Sequence, residues 1–457
     1  MKLWNFIKEN MLKNPGQGIS ENEKSLSFEE ALLRAEEFAG ELRGTACCAV
    51  LCASEMSAAV ALLACFAAGV TALPLSAAYG EAHWGKIVDS VSPDGIVTDD
   101  DGRLALNKRQ GSRYAAPKVH PALIMCTSGT SGKPKGAMLS EHNIITNVSD
   151  IAAYFAMGRE DTVLIARPLY HCAVLVGEFL TALVKGAGVR FCSGPFNPAG
   201  VLERIRTYGI SVFCATPTLL SLMVRFSRGR AAGSLRHIGI SGECMDAGTG
   251  RKIRAAFPAC SIYHVYGLTE ACPRVSYLPP EYFDAYPDCV GIPLKSVSVK
   301  ILNRAGEKCR ENEEGILYVK GGNIMLGYYR EPEKTHAVLK GGWLCTGDVA
   351  CINSAGFLKI RGRSDDLIIR AGMNVYPAEI EGILKQDARV REALVFGFRD
   401  SFGIQLGMKL AGDFSDAGEV RQLCVRLLPP FQIPSKIILT DELPKNVSGK
   451  VIRGTLP

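Results

Sequence analysis

Long hydrophobic runs are absent from this sequence of 457 residues. Its most apolar stretch, residues 56–70, is rich in alanine and falls short of the roughly 20 residues that a membrane span needs. The first residues lack the basic patch and apolar core of a secretory signal peptide. We therefore expect a cytoplasmic protein without a membrane partner, in which residues 56–70 form a buried helix.

Cysteine pairs with metal-binding spacing are also absent. The 16 cysteines include no Cys-x-x-Cys pair and are scattered through apolar runs such as residues 46–52. Cysteine in such runs behaves as a small hydrophobic residue, and disulfide frameworks are typical of short secreted chains. The pattern favours a reducing compartment and argues against a structural zinc site.

Strong charge of either sign is missing as well. A formal net charge of +6 suits an anionic small molecule but is too small to indicate a nucleic-acid partner. The composition, 47% hydrophobic and 21% charged, is that of a globular protein with enough apolar material for several domain-sized cores.

Strand-like segments alternate with helix-like segments over the first part of the chain, at residues 48–52, 70–75, 94–99, 162–166, 188–192 and 211–215. This alternation predicts mostly parallel sheets. After residue 287, short alternating strands at residues 297–301, 315–319 and 356–360 predict an antiparallel β-region. Residues 361–366 have the polar composition of a linker. The predicted fold is α/β: a large N-terminal domain of mixed, mostly parallel sheets flanked by helices plus the antiparallel β-region, and a small mobile α+β C-terminal domain.

A segment rich in Gly, Ser, Thr and Lys follows the apolar strand at residues 122–126; it consists of Thr127, Ser128, Gly129, Thr130, Ser131, Gly132, Lys133, Pro134, Lys135 and Gly136. Glycines let backbone N–H groups approach phosphate oxygens, hydroxyls donate hydrogen bonds and lysines add charge. The spacing is not that of a Walker A motif. A strand before the segment and a helix-like stretch directly after it, at residues 142–155, favour a phosphate-binding loop over a flexible surface loop.

Three other segments carry side chains suited to nucleotide chemistry. In Tyr266–Glu270, an aromatic ring beside Gly267 offers a stacking face, Thr269 offers a donor to phosphate, and Glu270 is a hard oxygen ligand for Mg²⁺. Asp348, expected at a strand end, can accept both ribose hydroxyl protons. Lys450, near the chain's end, can neutralise charge in a transition state. In isolation the first two segments are also compatible with a solvated turn, and the third with an idle surface lysine.

Five segments, at residues 127–136, 266–270, 343–348, 362–366 and 443–453, together resemble the adenylate-forming superfamily. This superfamily includes acyl-CoA synthetases, aryl-acid ligases, peptide-synthetase adenylation domains and luciferases. The resemblance implies an AMP-forming acid–thiol ligase. Such an enzyme activates a carboxylic acid with ATP and Mg²⁺ to an acyl-adenylate, releases pyrophosphate and transfers the acyl group to coenzyme A. One alternative is an adenylation enzyme that loads an acyl, aryl or amino acid onto a phosphopantetheinyl carrier protein. Another is a non-catalytic nucleotide-binding module.

The resemblance also implies roles for individual residues. The implied catalytic residues are Lys450, Thr269, Glu270 and His171, of which Glu270 also binds the metal. The implied nucleotide contacts are Thr127, Ser128, Gly129, Thr130, Ser131, Gly132, Lys133, Lys135, Gly242, Glu243, Tyr266, Gly267, Asp348, Ile360 and Arg363. The implied acyl pocket is lined by His171, Gly239, Ile240, Ser241, Tyr266, Gly267, Ala271 and Cys272.

A rotation of the small domain is part of the same resemblance. It implies a large ATP- and acid-binding domain over residues 1–363, a hinge at residues 364–366 centred on Asp365, and a small domain over residues 367–457 that carries Lys450. Gly372 is expected to line the channel for the pantetheine thiol, because glycine permits a close backbone approach.

The acid itself is constrained only by residues 170–174, which follow the predicted pocket wall and contain no carboxylate. The nearest acidic residue, Glu178, lies seven residues beyond His171. In the peptide-synthetase domains that this chain resembles, an Asp in this region pairs with the ammonium group of the α-amino acid, so we expect an uncharged aliphatic or aryl acid here.

Overall fold

The structure is a computed structural model that describes residues 2–127, 134–192, 194, 196–227, 233–370, 373–400, 403–444 and 451. All 16 cysteines lie among these residues and are free thiols. Within these ranges, no helix is both long and apolar enough to cross a membrane.

The strands of the described residues are β1 Gly18–Glu21, β2 Lys24–Ser27, β3 Cys47–Val50, β4 Thr71–Pro74, β5 Gly95–Asp100, β6 Arg103–Lys108, β7 Leu123–Thr127, β8 Lys135–Leu139, β9 Thr162–Ile165, β10 Gly188–Phe191, β11 Val212–Ala215, β12 His237–Ile240, β13 Ser261–Gly267, β14 Arg274–Leu278, β15 Ile292–Pro293, β16 Val297–Leu302, β17 Gly315–Gly321, β18 Gly327–Tyr328, β19 Leu339–Lys340, β20 Trp343–Ile352, β21 Leu358–Arg363, β22 Ile368–Arg370, β23 Met373–Val375, β24 Val390–Asp400, β25 Gly403–Gly412 and β26 Lys436–Leu439.

The helices of the described residues are α1 Lys2–Leu12, α2 Phe28–Glu41, α3 Glu55–Ala68, α4 Glu81–Val91, α5 Glu141–Tyr154, α6 Cys172–Val174, α7 Thr181–Lys185, α8 Pro198–Thr207, α9 Pro217–Ser227, α10 Ala247–Ala256, α11 Pro332–Val338, α12 Pro377–Leu384 and α13 Ala417–Leu427. A π-helical turn, Leu175–Leu180, joins α6 to α7.

Short polar residues fix where several helices begin. Ser27 and Ser140 each cap the first turn of a helix, α2 and α5, and the third residue of each helix bonds back to the capping residue. Ser54 caps α3, which ends at Gly69 in the left-handed conformation (φ +69°). Local sequence chemistry thus sets the bounds of the helices that pack beside the sheets.

Two large sheets form the bulk of the fold. One has the strand order β15-β14-β13-β12-β11-β9-β10-β1-β2 and is parallel from β13 to β1. The other has the order β18-β8-β7-β4-β3-β5-β6 and is parallel from β7 to β5. Helix α3, buried continuously over residues 56–66, contacts strands of both sheets. The carboxyl ends of parallel strands are the usual place for a ligand site.

The later strands form smaller sheets. Strands β16, β17, β20, β19 and β21 make an antiparallel sheet, and β22 pairs with β23. Strands β24, β25 and β26 form a three-stranded sheet against α12 and α13, with a separate apolar core that includes Ile380, Met408 and Leu423.

The structure confirms the predicted fold class, including the buried helix at residues 56–70 and the antiparallel β-region. Two expectations about local structure were wrong. Strand β8 lies between the predicted phosphate loop and helix α5, so the helix does not follow the loop directly. Asp348 lies inside the ten-residue strand β20 and not at a strand end. The domain boundaries at residues 363 and 367 stay a prediction.

Candidate active site

The two ends of the predicted phosphate loop are held side by side. Thr127 ends β7, Lys135 begins β8, and the two residues face each other in an antiparallel pair. The Thr127 hydroxyl donates to the Lys135 carbonyl over 3.5 Å. The six residues between Thr127 and Pro134, from Ser128 to Lys133, lie outside the described residues. The pairing of β7 with β8 therefore holds the two ends of this segment next to each other.

Glu270 lies in a one-turn 3₁₀ helix, Thr269–Ala271, directly after β13. Its carboxylate accepts a hydrogen bond from the Tyr328 hydroxyl at 2.7 Å. Burial and the neighbouring Glu270 carboxylate raise the pKa of Tyr328, so this phenol remains a proton donor. The Lys135 ammonium lies 5.5 Å from the centre of the Tyr328 ring, which brings Glu270 and the end of the phosphate loop to one place.

Asp348 is 8% exposed and joins two other predicted nucleotide residues. It accepts hydrogen bonds from the Tyr266 hydroxyl and from Arg363 Nη1, the latter at 3.4 Å. Arg363 Nη1 also donates to the Thr346 carbonyl at 2.6 Å, and the Thr346 hydroxyl accepts from the Asp348 N–H at 3.0 Å. Burial raises the pKa of Asp348, while Tyr266 and Arg363 oppose this shift.

The backbone around Asp348 is irregular, although Asp348 lies inside strand β20 and not at its end. The β20–β21 register shifts between Val349 and Ala350, just after Asp348. Gly347, directly before Asp348, has a φ of +74°, and Gly362, which pairs with Val349 on the neighbouring strand, has a φ of +149°. The β20–β21 ladder is therefore irregular directly after Asp348, which itself pairs with Arg363.

His171 lies directly before α6. Burial, with a smaller contribution from the Arg167 charge, lowers the pKa of His171 to about 4, so the imidazole is neutral near pH 7. The ring of Tyr170 is edge-on to it at 5.2 Å, and the Tyr170 hydroxyl donates to the Cys126 carbonyl at 3.3 Å. Because Cys126 precedes Thr127, the aromatic wall reaches the start of the phosphate loop.

Three of the predicted acyl-pocket residues, Gly239, Ile240 and Ser241, lie at the end of β12. Gly239 leaves room for Cys214 of β11, since a Cβ at Gly239 would be 2.6 Å from the Cys214 sulfur. Ile240 and Ser241 are buried, and Gly242 follows with φ +94°.

The other predicted residues have more varied surroundings. Glu243 accepts hydrogen bonds from the N–H and hydroxyl of Thr218 at the start of α9, at 3.2 and 2.6 Å. Ala271 and Cys272 are fully buried, and Ile360 packs in the same apolar cluster as Tyr266. Gly267 pairs with Arg274, and a Cβ at Gly267 would meet the Pro273 carbonyl at 2.1 Å.

Residues around the predicted hinge connect the two parts of the chain. Asp365 lies in the 3₁₀ turn Ser364–Asp366 and is 3.5 Å from Arg363. Glu314 accepts hydrogen bonds from Arg361 Nε at 2.8 Å and from the Tyr376 hydroxyl at 2.5 Å. Lys450 and Gly372 lie outside the described residues.

The structure therefore brings Tyr266, Asp348 and Arg363 together around β13, β20 and β21, with Glu270 nearby. It places His171 directly before α6, and Gly239, Ile240 and Ser241 at the end of β12. Sequence analysis did not identify Tyr328 or Thr346 as site residues. Tyr328 donates a hydrogen bond to Glu270, whereas Thr346 accepts hydrogen bonds from Arg363 and from the Asp348 N–H. Tyr328 is 58 residues from its partner and carries no local signal.

The carboxylates of Asp348 and Glu270 lie within electrostatic reach of each other, and Glu270 lies near Lys135 at one end of the Gly/Ser/Lys-rich segment. This arrangement in an α/β chain fits the predicted nucleotide site. The family described as AMP-binding enzyme matches residues 105–329, and the AMP-binding enzyme C-terminal domain matches residues 379–450. The chain belongs to the AMP-binding enzyme family. The predicted resemblance to the adenylate-forming superfamily is confirmed.

Several relatives are named as coenzyme A ligases. The 2-succinylbenzoate–CoA ligase of Bacillus subtilis is 32% identical over 346 residues, which cover 73% of this chain and 68% of that protein. The long-chain-fatty-acid–CoA ligase of Haemophilus influenzae is 30% identical over 362 residues, which cover 75% of this chain and 63% of that protein. The chain spans between 61% and 75% of the length of the curated relatives it matches.

A solved structure shares nearly the whole fold. The O-succinylbenzoate coenzyme A synthetase from Bacillus subtilis in complex with AMP has a TM-score of 0.87 and 27% identity, covering 99% of this chain and 98% of that chain. A double mutant of that enzyme bound to a product analogue, OSB-NCoA, has a TM-score of 0.71 over the same shares of both chains. The fold predicted from the resemblance is therefore confirmed.

Proposed function

We propose that this protein is an ATP- and Mg²⁺-dependent acid–CoA ligase. It joins a carboxylic acid to AMP with release of pyrophosphate and then passes the acyl group to the thiol of coenzyme A. One observation carries the proposal: Asp348 accepts hydrogen bonds from both Tyr266 and Arg363. Glu270 and the paired ends of the predicted phosphate loop lie nearby.

The nucleotide end of the site follows from charge and hydrogen bonding. Asp348 accepts the ribose hydroxyl protons, and the Tyr266 ring forms one face of the adenine site. Arg363 donates to ribose or phosphate oxygens, as its planar fork of N–H groups allows. Thr269 donates to the α-phosphate. The phosphate loop, from Thr127 to Lys135, surrounds the pyrophosphate that leaves.

Glu270 fits a magnesium ion because a carboxylate oxygen is the ligand type that Mg²⁺ prefers. No group of three or more His, Cys, Asp or Glu side chains that could hold a metal occurs in the part of the chain that the structure describes. Phosphate oxygens and water would therefore complete the coordination. The ion, when bound, supplies positive charge to the phosphates. Tyr328 orients Glu270 for this task.

The acid end of the site is less polar. The neutral His171 ring and the small residues Gly239, Ser241 and Ala271 form its walls. The carboxylate of the acid attacks the α-phosphorus of ATP, a phosphorus–oxygen bond forms and the bond to pyrophosphate breaks. Lys450 neutralises the negative charge that builds up on the carboxylate and the α-phosphate in this step.

The second step needs the thiol to replace AMP at the acyl carbon. In our proposal the small domain turns about Asp365, withdraws Lys450 and brings Gly372 to the channel through which pantetheine enters. Coenzyme A is favoured over a carrier protein because the relatives reported above are named as CoA ligases.

The first test is acid-dependent exchange of labelled pyrophosphate into ATP, with a panel of aliphatic, aryl and amino acids. We expect exchange with one acid class and a fall of roughly 100-fold or more in Lys450→Ala, the effect of losing one transition-state contact. Lys445→Ala, five residues away in the same segment, is the matched control and should retain exchange.

The second half of the test supplies coenzyme A and follows the acyl thioester by chromatography. If the thioester forms only when a phosphopantetheinyl carrier protein is supplied, the carrier protein and not coenzyme A is the acceptor. ATP binding without exchange for any acid would overturn the proposal and leave a nucleotide-binding module.

A further inference from the structure

Three charged side chains are packed together next to the predicted acyl pocket: Arg167, Glu178 and Arg274. We call them the buried ion cluster. Arg167 Nη2 donates to Glu178 Oε1 at 2.5 Å, and their side chains are 16% and 2% exposed. Arg274, the first residue of β14, is 6% exposed. Such groups are rarely buried unless their charges and hydrogen bonds are matched.

The charges of the buried ion cluster are not matched. Two guanidinium groups face one carboxylate, and a guanidinium keeps its charge at every relevant pH. Burial raises the pKa of Glu178, opposed by Arg167, and a protonated Glu178 would leave an even larger positive excess. His171, the neighbouring titratable group, is neutral near pH 7 because its pKa is about 4. The cluster therefore has a net positive charge.

The hydrogen bonds are not matched either. Arg167 Nε, Glu178 Oε2 and Arg274 Nε are buried and have no hydrogen-bond partner among the residues that the structure describes. Buried polar atoms in folded proteins almost always have a partner, so three such atoms in one cluster require an explanation. A ligand with an anionic group would supply acceptors for the two Nε donors.

The position of Arg274 connects the cluster to the acyl pocket. Arg274 pairs across the sheet with Gly267, a predicted wall residue, and follows the predicted wall residue Cys272 by two positions. A Cβ built on Gly177 would come within 2.9 Å of Arg274 Nη2. Gly177 lies in the π-helical turn Leu175–Leu180, so the absence of a side chain there leaves room for the guanidinium.

Cys214 and Arg167 provide two more connections. A Cβ at Gly239, another predicted wall residue, would be 2.6 Å from the Cys214 sulfur. Burial, and then the Glu178 charge, raise the pKa of Cys214 to about 12, so its thiol is neutral and adds no charge to the cluster. Arg167 is the least buried member of the cluster and lies four residues before His171.

The backbone of Arg274 is fixed in place. Asn147 donates to the Arg274 carbonyl at 2.8 Å and accepts from its N–H at 3.1 Å, and Asn323 donates to the same carbonyl at 2.9 Å. A cationic side chain on a rigid strand, with its neighbour reduced to glycine, has the features of a prepared binding group.

From this geometry we propose that the buried ion cluster is an anion subsite at the end of the acyl pocket, and that the acid substrate carries a second carboxylate. The inference rests on the proposed function and narrows its substrate class. One carboxylate is activated at the α-phosphate, and the other is held by Arg274 and Arg167. Glu178 balances part of the charge and positions Arg167, and its pairing leaves it poorly suited to a substrate ammonium group. The expectation of an uncharged acid is replaced by this proposal.

The test compares acids that differ only in the second carboxylate, such as hexanoate with hexanedioate and benzoate with phthalate, in acid-dependent pyrophosphate exchange. We expect at least about a tenfold higher kcat/KM for one of the diacids than for its monoacid partner, the effect of one charge-assisted contact. Arg274→Met, which keeps an unbranched apolar stem but removes the guanidinium, should abolish this preference without changing the KM for ATP.

Two further variants protect the test against misfolding. Gly177→Ala keeps every charge but displaces the Arg274 guanidinium, and it should raise the KM for the diacid more than it lowers kcat. Arg167→Gln should have the same effect from the other side of the cluster. A thermal unfolding curve for each variant identifies any that fails to fold.

Equilibrium binding of the same acids in the presence of AMP reads the subsite without turnover. Diacid binding that Arg274→Met removes, together with no exchange, would refute the proposed function and keep the subsite. Exchange with monoacids alone, unaffected by Arg274→Met, would refute the subsite and keep the proposed function. A preference for acids with an ammonium group would also refute the anion subsite, since Glu178 would then be the ligand-binding group.

Discussion

Among single residues, Asp348 has the best-defined partners in the candidate nucleotide site. Its carboxylate accepts hydrogen bonds from Tyr266 and Arg363. Asp348→Asn keeps the shape but removes the charge that ribose hydroxyls and Arg363 would use. Hydrogen bonds to charged groups contribute about 1.5–3 kcal/mol, so we expect a roughly 10- to 100-fold rise in the KM for ATP. Steady-state kinetics at saturating acid measures this change.

Tyr266→Phe is the matched control for Asp348→Asn. It removes only the phenol donor and keeps both the ring and the carboxylate, so its effect on the KM for ATP should be smaller. If Asp348→Asn folds normally and binds ATP and AMP as tightly as the unaltered protein, Asp348 is not the ribose ligand.

Glu55, the first residue of α3, makes stability depend on pH. Burial, with a smaller contribution from Glu21, raises the pKa of Glu55 to about 7, although its hydrogen bond from the Leu169 N–H at 3.0 Å opposes the shift. The folded protein therefore binds more protons than the unfolded chain between about pH 4.5 and pH 7, and stability falls as the pH rises through this window.

Glu55→Gln should remove this loss, because the amide oxygen can still accept from Leu169 and no longer ionises. Above pH 7 the variant should be more stable than the unaltered protein by up to about 3 kcal/mol, and the two should converge near pH 4.5. Urea unfolding at pH 5 and pH 8 measures the difference. Glu29→Gln, on the exposed side of α2, is the control; an equal shift in that variant would contradict the role of Glu55.

At the scale of secondary-structure elements, Asn147 of α5 and Asn323, which follows β17, both bond to Arg274 of β14. Asn147, which is fully buried, bonds to both the N–H and the carbonyl of Arg274, while Asn323 bonds to the carbonyl alone. Asn147→Ala leaves a buried N–H without a partner, so we expect a loss of about 2–3 kcal/mol in unfolding free energy. Denaturant unfolding provides the measurement.

Asn323→Ala is the matched comparison for this tie. The Arg274 carbonyl would keep its bond from Asn147, and only the Asn323 bonds to Ala271 and Arg274 would be lost. Its cost should be about 1 kcal/mol. Equal losses in the two variants would mean that the Arg274 N–H does not depend on Asn147.

Elements with a strong local pattern could be predicted from the sequence, and elements defined by distant partners could not. Helix α3 was predicted because its apolar run is continuous. Strand β8 was missed because only pairing with β7 separates it from the polar loop before it. The candidate site divides in the same way, since Tyr266, Glu270 and Asp348 stand in short motifs, whereas Tyr328 and Asn147 act on residues far along the chain.

At the scale of the whole molecule, the two parts of the chain meet through a small polar cluster next to the predicted hinge. Glu314 and Arg361 lie before the hinge, and Tyr376 and Glu379 lie after it. The TM-score is 0.87 to the AMP complex of the Bacillus subtilis enzyme and 0.71 to the complex of its double mutant with a product analogue. The structure of this chain is therefore more similar to the AMP complex than to the complex with the product analogue. The polar cluster is a contact of this AMP-complex-like structure.

The polar cluster should consequently affect one half-reaction more than the other. Tyr376→Phe removes the hydrogen bond to Glu314 and weakens only the arrangement that contains it. A loss of about 1 kcal/mol would slow acid-dependent pyrophosphate exchange roughly fivefold, while thioester formation from a supplied acyl-adenylate should not slow. Asp413→Asn is the control, because it breaks an exposed pair with Arg391 inside the small domain. Equal slowing of both half-reactions by Tyr376→Phe would mean that this contact supports the fold as a whole, and the rotation about Asp365 would lose its structural support.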